Sequence, residues 1–128
     1  MLAVTNKTKA PIPTGAARVI MKRAFPRGSM EVSLVFVGDS AMRRLNRTYC
    51  HTDKTTDVLS FLLEPGLGEI VISIPEAARE AKAQGIGIRA QLCRLIAHGA
   101  AHLAGHDHAR PRGRVLMQRL ETKLVRGL

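Results

Sequence analysis

The run His98-Gly-Ala-Ala-His102-Leu-Ala-Gly105-His106-Asp107-His108 concentrates four of the chain's five histidines in one short segment. Residues four apart share a helix face, so His98 and His102 can aim their imidazoles at one point. Gly105 offers a left-handed turn that ends the helix, after which the chain can double back and present His108 to the same point. Three neutral imidazoles around an open fourth position are how proteins hold a catalytic zinc. Zinc peptidases with this histidine spacing carry a glutamate directly after the first histidine, as general base. That position is Gly99 here. The spacing therefore points to a metal centre and away from the usual route of peptide hydrolysis. Imidazole sites also accept nickel, cobalt and copper, so zinc is a preference of the donor set.

These histidines need a helix that is itself covered. Residues 88–104 read as that helix, with Leu92, Ile96, Gly99 and Leu103 forming one apolar stripe and Gln91, Leu95, His98 and His102 beside it. The rest of the chain alternates strands and helices in an α+β order. Strands are expected over residues 2–5, 32–37, 58–63 and 70–74. A helix over 16–25 carries Val19, Ile20 and Ala24 on one side and stops at Pro26-Arg27-Gly28. Asp39 or Ser40 caps a second helix, with Met42 and Leu45 inward and Arg43, Arg44 and Arg47 outward. Ser73 or Pro75 opens a third helix that closes at Gly85 and Gly87. A last helix over 112–126 points Val115, Leu116, Leu120 and Leu124 inward. Gly68 reads as a turn before its strand and Glu69 as a polar strand residue. The expected architecture is one compact domain over residues 1–128, a small mixed sheet of about four strands packed with about five helices.

Three more blocks accompany the histidines. They are Leu45-Asn46-Arg47-Thr48-Tyr49 followed by Asp53 and Thr56-Asp57-Val58-Leu59-Ser60-Phe61, then Leu67-Gly68-Glu69-Ile70-Val71-Ile72-Ser73, then the weaker pair Met117 and Glu121. In this order, and with His98, Gly99, His102, Leu103, Gly105, Asp107 and His108 matching H-G-x-x-H-L-x-G-x-D-H, the chain resembles the YbeY family, bacterial rRNA maturation factors described as zinc-dependent endoribonucleases. The resemblance implies a zincin-like metal helix and one Zn²⁺ per chain on His98, His102 and His108. It implies a single-strand-specific endoribonuclease of 16S rRNA 3′-end maturation and ribosome quality control. Its partners would be the small-subunit rRNA precursor, the small ribosomal subunit and assembly factors.

The chain departs from the family pattern at Cys50 (arginine in the family), Thr52 (lysine) and Thr55 (proline). The family arginine lies near the metal and engages the phosphodiester. A guanidinium grips phosphate oxygens through two parallel bonds, which a thiol cannot do. Arg47, about one helical turn earlier, or Arg44, nearly two turns earlier, are the candidates to reach the same space.

The candidate catalytic residues are thus Asp57, Ser60, Asp107 and Arg47, and the candidate RNA contacts are Arg43, Arg44 and Arg47. Asp57 and Ser60 equally fit plain strand-end residues. Asp107 either orients a ligand imidazole or bonds the backbone of the turn. His106 reads as pocket wall, His51 as a loop residue and Cys93 as a small buried hydrophobe. With no clear general base near the ligands, the nucleophile is either a metal-activated water or an RNA 2′-hydroxyl, with Asp57 or Asp107 as the proton relay. Two alternatives stay open: a non-catalytic, zinc-containing, RNA-binding assembly factor, which Cys50 motivates, and a metallohydrolase of other phosphate esters or amides.

Charge and composition agree with a polyanion partner. Twenty Lys and Arg against ten Asp and Glu leave a formal charge of +10. That excess favours nucleic acid and makes binding salt-dependent. With three Phe, one Tyr and no Trp, phosphate contacts are expected to dominate over base stacking. Two cysteines and no signal-like start suggest a reducing cytoplasm, and no apolar run is long enough to span a membrane.

Overall fold

The computed structural model describes residues 1–105 and 110–128. Among them the chain runs β1 (Leu2–Asn6), α1 (Thr14–Ala24), β2 (Glu31–Val37), α2 (Asp39–Cys50), β3 (Val58–Glu64), β4 (Leu67–Ser73), α3 (Ile74–Gln84), α4 (Ile88–Leu103) and α5 (Pro111–Leu124). The sheet order is β1-β2-β4-β3. β1, β2 and β4 are mutually parallel, while β3 returns antiparallel to β4 through Pro65-Gly66. Gly66 takes φ 82°, a value that favours glycine in so tight a connection.

β2 and β4 lie in the middle of the sheet and are covered on both faces. Val32, Leu34, Phe36, Ile70 and Ile72 meet α1 and α4, whereas Val37 and Val71 meet Met42 of α2. The alternation follows from the two-residue period of a strand. α4 is central as expected, with Leu92, Ile96, Ala97, Ala100 and Ala101 fully or almost fully buried. Among the described residues no helix is long and apolar enough to cross a membrane.

Two glycines let α4 approach the sheet. A Cβ on Gly99 would stand 2.8 Å from Ile70 Cγ2, and one on Gly68 would stand 2.7 Å from Leu103 Cδ1. Gly68 is therefore not a turn residue. It lies within β4, opposite Val32 and Leu62, and makes room for Leu103. Position 99 faces Ile70 and the sheet, so a peptidase-type glutamate there would point into the core.

Several local expectations change. α5 turns Met117 and Leu124 inward and leaves Val115 and Leu116 exposed. On α1 the buried face is Ala16, Ala17, Ile20 and Met21, with Val19 on its exposed margin. The cap of α2 is Gly38, not Asp39 or Ser40. α3 begins as expected, with Ser73 Oγ accepting from the Glu76 amide at 3.3 Å and Gly85 closing the helix in the left-handed region.

Asp39, freed from capping, ties three elements together. Its carboxylate accepts from both terminal nitrogens of Arg79 at 2.9 Å, and from Ser73 and Thr55 at 3.2 Å. The Arg79 bonds, ahead of the opposing effect of burial and the smaller contributions of Ser73 and Thr55, hold the Asp39 carboxyl below the ordinary range. A carboxyl whose folded pKa is depressed contributes stability above its unfolded pKa and loses it as pH falls through the folded value. Asp39→Asn should therefore melt below wild type at neutral pH, and the gap should close below about pH 4. Thermal melts from neutral to acid pH check this, and a gap that persists in acid would contradict it.

Candidate functional site

α4 presents His98 and His102 one turn apart, with ring centroids 6.2 Å apart and planes at 66°. Two imidazoles on one tetrahedral ion at about 2.0–2.1 Å stand with their centroids roughly 5 Å apart, so the two rings share a face of α4 but must turn toward each other to meet one ion. His98 is half-buried and His102 exposed. His106, Asp107 and His108 lie outside the described residues. Among the described residues no group of three or more His, Cys, Asp or Glu side chains converges as a metal site.

α5 supplies a partner, Glu121, which the sequence marks only as half of the weak Met117 and Glu121 pair, with no role assigned to it. His98 Nδ1–H donates to Glu121 Oε1 at 2.5 Å. This bond raises the His98 pKa, burial opposes it, and the charges of Glu121 and Asp57 raise it further. A proton fixed on Nδ1 leaves Nε2 as the nitrogen with a lone pair, the arrangement by which carboxylates orient metal-binding histidines. The signal available was Glu121 at four residues from Met117, which is buried. A carboxylate on the inward stripe of an amphipathic helix needs a buried or half-buried partner.

Asp57 stands at the entrance of β3. Its Oδ1 accepts from the Val58 amide at 2.7 Å and its carbonyl from the Ser73 amide at 2.9 Å. Glu80 of α3 has its pKa raised, first by burial and then by the Asp57 carboxyl. Gln91 Nε2 on α4 donates to Glu80 Oε1 at 3.0 Å, while Gln91 Oε1 has no hydrogen-bond partner among the described residues. The carboxyls of Asp57, Glu80 and Glu121 thus border the His98 side of α4. Ser60 lies directly opposite Ile70, which abuts Gly99, so Ser60 shares the sheet face that α4 covers.

The arginines form a second group. Arg43 Nε and Nη2 donate to Asp53 Oδ1 and Oδ2 at 2.9 and 3.1 Å, and Arg47 Nη1 stands 3.6 Å from Asp53 Oδ1. The Arg43 bonds, against the smaller opposing effect of desolvation and with help from the charges of Arg43 and Arg47, hold the Asp53 carboxyl low. α2 packs on the sheet face opposite α4. Arg44 borders a separate hollow with Lys7 and Glu69, and Cys50 is exposed.

A family model described as Endoribonuclease YbeY matches residues 4–128. A Myxococcus xanthus protein named Endoribonuclease YbeY is 47% identical over 105 residues, covering 75% of this chain and 36% of its own length. One of the same name from Geobacter metallireducens is 36% identical over 135 aligned positions, covering 95% of this chain and 89% of the relative. The solution structure of TM1509 from Thermotoga maritima has a similar fold, with a TM-score of 0.72 at 22% identity over 98% of this chain and 87% of that one. The match extends from the parallel strands through the histidine helix to the helix bearing Glu121, and the chain belongs to the YbeY family.

Proposed function

We propose that the protein is a metal-dependent endoribonuclease acting on single-stranded RNA in small-subunit rRNA maturation, in the cytoplasm, with the small ribosomal subunit and assembly factors as partners. The observation that carries this is the His98–Glu121 bond beside His102 on one face of α4. A half-buried histidine oriented by a carboxylate, with a second imidazole one turn away on the same helix face, fits a metal better than it fits core packing. The relatives' name, Endoribonuclease YbeY, favours an enzyme over a non-catalytic assembly factor.

His98, His102 and His108 would hold the ion, with zinc the preferred metal. When bound, such an ion polarises a phosphoryl oxygen or activates a water. The protein's own groups do the rest. Glu121 sets the His98 tautomer. Asp57, whose charge acts on His98, would hold or pass a proton there together with the Glu80 carboxyl beside it, and Asp107 follows the same expectation. Ser60, opposite Ile70 on the face that α4 covers, would position a loop or a bound water there. Arg43, Arg44 and Arg47 attract phosphates, which compete with Asp53 for the first and last of them.

The test is cleavage of a small-subunit rRNA precursor by protein of measured metal content, with and without chelation. Cleavage should disappear on chelation and return with added zinc. Tight, salt-sensitive binding without cleavage in a zinc-loaded sample would instead support the assembly-factor reading, with Cys50 as the cause of lost catalysis.

A further inference from the structure

Tyr49 is the chain's one tyrosine, and there is no tryptophan. It lies near the end of α2 and is 63% exposed, whereas Phe36 is fully buried. The Tyr49 ring is held by Phe61 of β3, with centroids 5.5 Å apart and planes at 58°. β3 is an edge strand, and the two residues after Phe61 are also exposed, Leu62 at 60% and Leu63 at 57%. Successive side chains on a strand point to opposite faces. Leu62 therefore shares the α4 face. It lies opposite Gly68, whose missing side chain is replaced by Leu103, the residue after His102. An apolar strip thus runs around the free edge of the sheet, from Tyr49 on one face to the end of the histidine helix on the other.

The strip is bordered by cations. Arg43 and Arg47 precede Tyr49 on α2, near Asp53. Apolar surface beside fixed positive charge suits a ligand that carries flat rings on an anionic backbone. In a duplex those ring faces are covered by stacking, while in a single strand they can splay onto an aromatic side chain.

We infer that Tyr49 stacks on a base of single-stranded RNA, with Leu62 and Leu63 extending the apolar contact toward the metal helix. The inference rests on the RNA-cleaving reading and names the residue that distinguishes single strands from duplex. One ring makes no extended platform, so phosphate contacts still supply most of the affinity.

The absence of tryptophan makes the test direct, because tyrosine emission comes from Tyr49 alone. The probe is a short 2′-O-methyl oligoadenylate, with its duplex as control. Anisotropy of a labelled copy reports binding, and Tyr49 emission reports stacking. The single strand should quench Tyr49 and the duplex should not. Tyr49→Ala should weaken single-strand binding roughly 10-fold with duplex binding and melting temperature unchanged, and Tyr49→Phe should restore it.

Single-strand binding without quenching, or wild-type affinity in Tyr49→Ala, would overturn the inference and leave the nuclease reading standing. No RNA binding by any probe would overturn both. Light scattering covers the remaining occupant, a second copy of the chain. A self-associated protein made monomeric by Tyr49→Ala, with RNA binding intact, would assign the strip to self-association and overturn the inference.

Discussion

Replacing His102 by alanine should abolish both metal retention and RNA cleavage, and replacing Glu121 by alanine should weaken metal binding roughly 10–100-fold. The two effects differ in origin. His102 is exposed on α4, so its loss removes a donor while leaving the packed stripe of Leu92, Ile96 and Ala100 untouched. Glu121 donates nothing to an ion in this reading. It accepts a hydrogen bond from His98 Nδ1–H, fixes the ring, and leaves Nε2 as the nitrogen with the lone pair. Without it, His98 would lose its tautomer preference and its orientation. Glu121→Gln keeps a neutral acceptor in place and should fall between alanine and wild type. Competition for zinc with a chromogenic chelator measures all three variants, and their metal-free melting temperatures separate lost ligation from lost folding. Wild-type zinc affinity in Glu121→Ala would remove Glu121 from the site.

Glu121 also shows where the sequence stops being readable. The histidine helix was legible because four-residue spacing and an apolar stripe are local properties of one segment. The face of α5 was not. Leu116, Leu120 and Leu124 form one plausible stripe, and Met117, Leu120, Glu121 and Leu124 form another. The second prevails because Met117 finds the core and Glu121 finds His98, a partner 23 residues away. Gly68 departs from its expected turn for a similar reason. Glycine in sequence suggests a turn, and only the arrival of Leu103 from α4 shows that it serves as a socket. β4 begins at Leu67, earlier than its apolar run, because Gly68 and Glu69 gain ladder partners on both β2 and β3. Asp39 looked like a cap, yet the capping position falls on Gly38 and the carboxylate turns to Arg79 instead. In each case a contact distant in sequence decides among local choices of similar energy.

The other large effect concerns Gly99, the position at which zinc peptidases keep their glutamate. Installing that residue should unfold this protein before it could create a peptidase. The Cβ alone meets three side-chain atoms of Ile70 at 2.8, 3.0 and 3.1 Å. Ile70 is branched at Cβ, fully buried and held between β2 and β3, so it has little freedom to yield. Overpacking of this kind costs about 1–3 kcal/mol. In Gly99→Ala the better helix propensity of alanine returns up to about 1 kcal/mol, which leaves a modest loss. Gly99→Glu adds a carboxyl facing the buried side chains of Ile70 and Ile72, a further penalty of several kcal/mol. Against a typical total stability of about 5–15 kcal/mol, that sum is severe. Urea unfolding of both variants, alone and combined with Ile70→Ala, separates the causes. Removing the Ile70 branches should relieve the alanine variant, giving favourable coupling between neighbouring sites. It should leave most of the glutamate penalty, because space does not solvate a charge. If Gly99→Glu instead folds with near wild-type stability, position 99 reaches solvent and the packing of α4 on β4 differs from that described.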